Sequence, residues 1–264
     1  MRAMDLVQAE KAKKSLGQHF LRDESVVRRI AALLQAEKGD QILEIGPGPG
    51  ALTAMLRPLP WRRLVLIEKD DYYAGEHRRL ALPGMEVISG DAMLHPWQQM
   101  QGLWIITGNL PYNIASPLMW DIVSRTPGLK RAVFMIQKEV AERILAPAGS
   151  KSYGALSVWI QSYCTAAKGF IVPPSCFSPP PKVDSEVIVL MPIESQRRPA
   201  QPERLSSLLK ICFQQRRKQL QAILRKRFSE NAVLSALERA GVDPSQRPET
   251  LLPHQFHALA DLLF

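Results

Sequence analysis

The segment from Ile42 to Thr53, ILEIGPGPGALT, restricts the fold of this chain more than any other stretch. The short apolar run Gln41 to Ile45 reads as a buried strand, and it stops at Gly46, Gly48 and Gly50. Before it, Val26, Val27, Ile30, Leu33 and Leu34 recur at helical spacing. A strand that ends in glycines and opens a helix is a nucleotide-type βα start, because glycine lets the backbone turn tightly and approach a ligand with no Cβ in the way.

The same alternation continues. Strand-like runs at 64–67, 85–88, 104–107 and 132–136 enclose helical stretches at 71–82 and 117–123, which predicts a parallel α/β sheet. Two further helices are expected at 138–145 and 155–163, and two strands at 167–172 and 186–191 that can form an antiparallel edge. Residues 173–181, PPSCFSPPP, hold five prolines in nine and exclude regular helix or interior strand. Residues 194–203 are Pro- and charge-rich, so the expected domains are 1–198 and 199–264, with boundary near Pro199. Short helices follow, broken at Asp243-Pro244 and at Pro253.

Three strand ends carry candidate ligands for a nucleoside cofactor. Gly46 and Gly48 line the first; Glu68 closes the second, where a carboxylate can accept from both ribose hydroxyls; Asp91, in Ser89-Gly90-Asp91-Ala92, can accept from an adenine amino group. A dinucleotide site also uses glycines and a distal acid, but with G-x-G-x-x-G spacing, whereas this chain has G-x-G-x-G. Glu44, just before the loop, sits poorly beside a pyrophosphate and suits a cation. S-adenosylmethionine, which carries a sulfonium and an ammonium group, fits better.

After the fourth strand comes Gly108-Asn109-Leu110-Pro111-Tyr112-Asn113. The N6 amine of adenine is a poor nucleophile because its lone pair is delocalised into the ring. The Asn109 side-chain carbonyl and the Leu110 backbone carbonyl can each accept an N6 hydrogen and free that pair. Pro111 would fix the loop, and the Tyr112 ring offers a face for an extruded base. A proline turn capping the next helix, with Tyr112 half-buried, is the competing reading. Phe177, inside the proline-rich loop, is a candidate for the other face of the base; a packed core phenylalanine is its alternative.

These residues resemble the ribosomal RNA adenine dimethyltransferase family, specifically its small-subunit members. The likeness runs from Lys14-Ser15-Leu16-Gly17-Gln18-His19-Phe20-Leu21 through EIGPGPGALT, GNLPYNIASPL, Gln137-Lys138-Glu139-Val140 and Lys151-Ser152-Tyr153-Gly154, to FSPPPKVDS and Phe213-Gln214-Gln215-Arg216-Arg217-Lys218. It implies an α/β, Rossmann-like class I methyltransferase core with a small C-terminal helical domain that helps hold RNA. By position, His19, Leu21, Gly46, Glu68, Asp91 and Asn109 match the family's cofactor-binding residues, with Gly48 and Ala92 beside them. The implied reaction places two methyls on each of two adjacent adenosines in a hairpin loop near the 3′ end of small-subunit RNA. It would consume four S-adenosylmethionines and release four S-adenosylhomocysteines, late in subunit assembly. The stretch Lys69-Asp70-Asp71-Tyr72-Tyr73 departs from the pattern in being more aromatic.

Charge points the same way. A net +9 over 264 residues favours a polyanionic partner. Arg216, Arg217 and Lys218, followed two turns later by Arg225, Lys226 and Arg227, would give one helix a basic face able to track phosphates, or else an ordinary solvated face. Lys11, Lys13 and Lys14 suggest an N-terminal arm or a plain polar tail. With 46% hydrophobic and 22% charged residues, no membrane-length apolar run and no export signal, a soluble cytoplasmic monomer is expected. Cys164, Cys176 and Cys212 lie too far apart in sequence for a metal or redox pair, and no metal is expected. Three rivals share features with this reading: a large-subunit adenosine methylase, a subunit-assembly factor, and a protein-glutamine methyltransferase. The last is disfavoured by the basic tail.

Overall fold

The computed structural model describes residues 18–215 and 218–264. Two compact units emerge among the described residues, one formed by 18–141 and 166–192, the other by 142–165, 193–215 and 218–264.

The first unit is built on β1 (Phe20–Leu21), α1 (Glu24–Leu34), β2 (Gln41–Ile45), α2 (Ala51–Leu56), β3 (Arg63–Glu68), α3 (Asp71–Arg79), β4 (Met85–Ser89), β5 (Trp104–Asn109), α4 (Ala115–Arg125) and β6 (Leu129–Gln137). α5 (Lys138–Leu145), α6 (Ala155–Tyr163) and β7 (Cys164–Val172) follow, then β8 (Phe177–Ser178) and β9 (Ser185–Pro192). Seven strands form one sheet in the order β4-β3-β2-β5-β6-β9-β7. The β2–β3, β3–β4, β2–β5 and β5–β6 pairs are parallel, and β9 runs antiparallel to β6, as the sequence suggested for this edge. The chain winds outward from β2 through β3 to β4, then returns to β5 on the other side of β2, so β2 and β5 flank the topological switch point.

Every residue of β2 is buried, as expected of a strand covered on both faces. One face packs Ile42, Leu64, Leu66, Ile105, Val133 and Met135 against Val26, Val27, Ile30 and Leu34 of α1 and Leu52 and Leu56 of α2. Alternation sends Leu43, Ile45, Val65, Ile67 and Ile106 to the opposite face, where they too are buried. α1 starts where Asp23 accepts hydrogen bonds from the Ser25 and Val26 amides, at 2.9 and 3.1 Å. Within residues 173–181 the structure has a single 3-10 turn and the two-residue β8, which pairs with β1 outside the main sheet.

The second unit contains α7 (Pro202–Phe213), α8 (Leu220–Leu224), α9 (Glu230–Arg239) and α10 (Pro253–Leu263). Pro253 opens α10 rather than breaking a helix, since its missing N–H costs nothing at a first-turn position. The units divide differently from a cut at Pro199. Residues 142–165 join the C-terminal helices: the Tyr153 hydroxyl donates to the Leu251 carbonyl at 3.0 Å, and His257 Nε2 bonds Ser162 Oγ at 2.8 Å. Val158, Trp159, Ile160 and Tyr163 on α6 are buried. Composition marks the Pro- and charge-rich stretch at 194–203 but not which helices pack together.

β2 and β5 approach closely because Gly108 carries no side chain. A Cβ there would lie 2.5 Å from the Ile45 carbonyl oxygen, a main-chain atom held in the sheet. Gly108→Ala should therefore destabilise the chain by about 1–3 kcal/mol in urea unfolding. Gly75→Ala, on α3 with nothing within 4 Å of the added methyl, should be neutral or stabilising. Equal midpoints for the two variants would contradict this account of the β2–β5 contact.

Candidate active site

Ile45 of β2 stands opposite Gly108 of β5, so the glycine loop and Asn109 leave the sheet side by side. Glu68, at the end of β3, pairs with Ser89 of β4, just before Asp91. These strand ends and the turn after β5 surround one cavity, lined by His19, Gly46, Gly48, Glu68, Asp91, Ala92, Asn109, Leu110, Pro111 and Tyr112. Leu21 lines a smaller cavity that shares His19, Gly46 and Asn109 with the first and also contains Glu44. The structure thus brings together every residue singled out for cofactor and base, apart from Phe177. Phe177 is 5% exposed, packs in the core with Val172, Cys176 and Val187, and lines neither cavity. Pairing of β8 with β1, Leu21 opposite Phe177, draws this ring inward.

Each acidic side chain is oriented by its neighbours. Glu68 is 5% exposed; one of its oxygens accepts from the Gly48 amide at 2.9 Å and the other from the Asp70 amide at 2.8 Å. The Lys69 amide also bonds this carboxylate, whose two oxygens offer about four lone-pair sites in all. Burial raises the Glu68 pKa, opposed by the Asp70 and Gly48 amides. Asp91 accepts from the Met93 amide at 2.9 Å and pairs with Lys69 at 2.7 Å, and the Lys69 ammonium holds its carboxyl below the usual range. The aromatic stretch after Glu68 backs a lining residue: Tyr73, 2% exposed, meets Phe20 edge-on at 5.5 Å.

The turn after β5 is held as firmly. Asn109 Nδ2 donates to the His19 carbonyl at 2.9 Å; a carbonyl can only accept, so Oδ1 must face the other way. The Leu110 amide donates to the Met135 carbonyl at 3.0 Å, and the Pro111 carbonyl accepts from Ala115 at the start of α4. Among the described residues, neither Asn109 Oδ1 nor the Leu110 carbonyl accepts a hydrogen bond. The Tyr112 hydroxyl bonds Ser185 Oγ at 2.9 Å, and its ring stacks on the His19 imidazole at 5.7 Å. His19 is fixed in turn by Nδ1, which donates to the Pro179 carbonyl at 2.8 Å.

Three contributors had no weight in the sequence reading. Ser185 anchors Tyr112, and Thr53 donates to Glu44 at 2.7 Å. His77 Nε2 donates to the Gly48 carbonyl at 2.8 Å. Thr53 and Ser185 close quoted motifs, ILEIGPGPGALT and FSPPPKVDS, and His77 shares a helical stripe with Tyr73 and Ala74, all three buried.

The expected basic helix is not continuous. α7 ends at Phe213 and α8 begins at Leu220. The Leu220 amide bonds the Gln246 carbonyl and the Gln221 amide the Pro244 carbonyl, so the turn at 243–246 fixes a separate helix start. Lys218 is exposed before that start, and Arg225, at the end of α8, pairs with Glu230. Arg216 and Arg217, like Lys11, Lys13 and Lys14, lie outside the described residues. Among the described residues no helix is long and apolar enough to cross a membrane, and no group of three or more His, Cys, Asp or Glu could hold a metal ion.

Glu44, 2% exposed, is pushed up to about 8 by burial, with Glu68 nearby adding to the effect. The folded chain keeps a proton that the unfolded chain releases near 4.5. The stability this group contributes is therefore full below about pH 4.5 and is lost progressively as pH rises to about 8. Glu44→Gln removes that dependence. Relative to the parent, the variant should gain more than about 1 kcal/mol in urea unfolding between about pH 5 and pH 8.5; a constant difference across the range would refute the assignment.

Comparison with known proteins shows the family. The chain is 51% identical over 256 residues to ribosomal RNA small subunit methyltransferase A of Nitratidesulfovibrio vulgaris, covering 95% of this chain and 96% of that protein. It is 38% identical over 260 residues to the protein of the same name from Acinetobacter baylyi, covering 96% and 93%. Among solved structures it is similar to a dimethyladenosine transferase from Plasmodium falciparum, with TM-score 0.80, 30% identity and coverage of 91% and 96%. It also resembles the 23S rRNA methyltransferase ErmE, with TM-score 0.67, 26% identity and coverage of 92% and 99%. Residues 9–263 match the family model described as ribosomal RNA adenine dimethylase, and the chain belongs to that family.

Proposed function

We propose that this chain transfers methyl groups from S-adenosylmethionine to the N6 amine of adenosine in small-subunit ribosomal RNA. Two methyls go to each of two adjacent adenosines in a hairpin loop near the 3′ end, late in subunit assembly. The observation that carries the reading is the pair of acceptors left open beside the glycine loop, Asn109 Oδ1 and the Leu110 carbonyl.

The cavity suits this donor. Its charged side chains are Glu68, Asp91 and Lys69, and the one ammonium is already paired with Asp91. That balance favours a cationic ligand over a pyrophosphate and counts against the dinucleotide alternative. Gly46, Gly48, Glu68, Asp91 and Ala92 would hold the nucleoside and amino-acid portions, with His19, Leu21 and Asn109 at the edge. When bound, S-adenosylmethionine supplies an electrophilic methyl group.

The protein's part is positioning. In the first transfer Asn109 and Leu110 accept the two N6 hydrogens and draw the amine toward tetrahedral geometry, freeing its lone pair; in the second they share the one hydrogen that remains. Both acceptors are fixed beforehand, Asn109 by the His19 carbonyl and Leu110 by the Met135 carbonyl, so little reorganisation is needed. Tyr112, held by Ser185 and His19, supplies a rigid ring against the base. The proton leaves after transfer, so no strong general base is required. The helical unit helps hold the RNA, with Lys218 and Arg225 as phosphate contacts alongside Arg216 and Arg217. The protein works as a cytoplasmic monomer.

The test is transfer of labelled methyl to purified small subunits lacking the modification, with large subunits and Asn109→Ala alongside. Label should appear as N6,N6-dimethyladenosine in small subunits only, and Asn109→Ala should lower kcat by about 100-fold or more. Label on large subunits would move the chain to the ErmE-like activity. Cofactor binding with no transfer to either subunit would leave an assembly role.

A further inference from the structure

His77 is outside the set of residues that would touch cofactor or base, yet it meets the glycine loop at its centre. Its side chain is 2% exposed and its Nε2 lies 2.8 Å from the Gly48 carbonyl oxygen. That oxygen can only accept, so Nε2 carries the proton. The amide of the same residue donates to Glu68 at 2.9 Å. Both polar groups of Gly48 are thus tied to side chains from a single βα turn, Glu68 at the end of β3 and His77 on α3. The imidazole also fills the space beside Gly50, where a Cβ would come within 2.9 Å of its Cε1. Gly46, Gly48 and Gly50 all have positive φ, 64°, 52° and 89°. Pro47 and Pro49 fix φ at alternate positions, but the three glycines between and beside them still have competing conformations and lose entropy on ordering.

We infer that His77 is a positioning residue for the methyl donor: its hydrogen bond to the Gly48 carbonyl holds the glycine loop in the binding conformation before the ligand arrives. The inference rests on the reading of this loop as the S-adenosylmethionine site. Burial lowers the His77 pKa and keeps the ring neutral, with its proton committed to Gly48. A preformed loop saves the ligand the cost of ordering it, so the tether acts on affinity rather than on the chemical step.

The experiment compares His77→Leu, which keeps bulk and removes the donor, with His77→Gln, whose amide nitrogen can replace it. Calorimetry with S-adenosylhomocysteine, amide hydrogen exchange over residues 46–50 and methyl-transfer kinetics are the readouts. His77→Leu should weaken binding about three- to tenfold, the range of one hydrogen bond, and raise KM for the donor in proportion with kcat within about twofold. Exchange over the loop should quicken, and His77→Gln should return binding to within about twofold of the parent. Unchanged binding in His77→Leu, equal weakening in both variants, or a fall in kcat at constant KM would each overturn the inference. Failure of the parent itself to bind S-adenosylhomocysteine would overturn the reading of the loop, and this inference with it.

Discussion

The parallel pairing of β2 with β5 is the constraint on which the site depends. Because the chain reverses its direction of winding between these two strands, a crevice opens at their carboxyl ends. The register places Ile45 against Gly108, and the missing side chain at Gly108 lets the two main chains meet. The glycine loop and the Asn-Leu-Pro-Tyr turn, more than fifty residues apart in sequence, then leave the sheet as neighbours. A cofactor loop and a base-binding turn cannot cooperate without this adjacency.

Around that gap, polar groups are tied down by partners that leave their useful faces open. Glu68 is held by backbone amides, Asn109 spends its N–H on His19, and Tyr112 spends its hydroxyl on Ser185. Such pairing satisfies buried groups without consuming the acceptors a substrate needs. The burial that raises the pKa of Glu44 and Glu68 also lowers the local dielectric, which strengthens whatever attraction a cation finds there.

Much of this was legible in the sequence because it is local. The short apolar runs, the glycines after Ile45 and the strand-end acids Glu68 and Asp91 declare themselves within a few residues. What stayed hidden depends on distant partners. His77 reaches Gly48 across twenty-nine positions, and Tyr112 reaches Ser185 across seventy-three. Phe177 was a candidate for base stacking by its place in a proline-rich loop, but the pairing of β8 with β1 turns it into the core. The clusters at 216–218 and 225–227 suggested one helix, and the turn at 243–246, which no local pattern connects to them, starts a new one at Leu220. The helix α6 looks like part of the α/β succession and packs instead with the C-terminal helices, since an apolar stripe does not name its partner.

The central claim is that the site is built before the ligand binds, at the switch point between β2 and β5. Its most direct test is a crystal structure with S-adenosylhomocysteine beside one without ligand. The account predicts the ligand in the cavity between the glycine loop and Asn109, its ribose hydroxyls on Glu68, and the main chain of residues 44–50 the same in both. A ligand bound elsewhere, or a Gly48 peptide that reorients on binding, would contradict it.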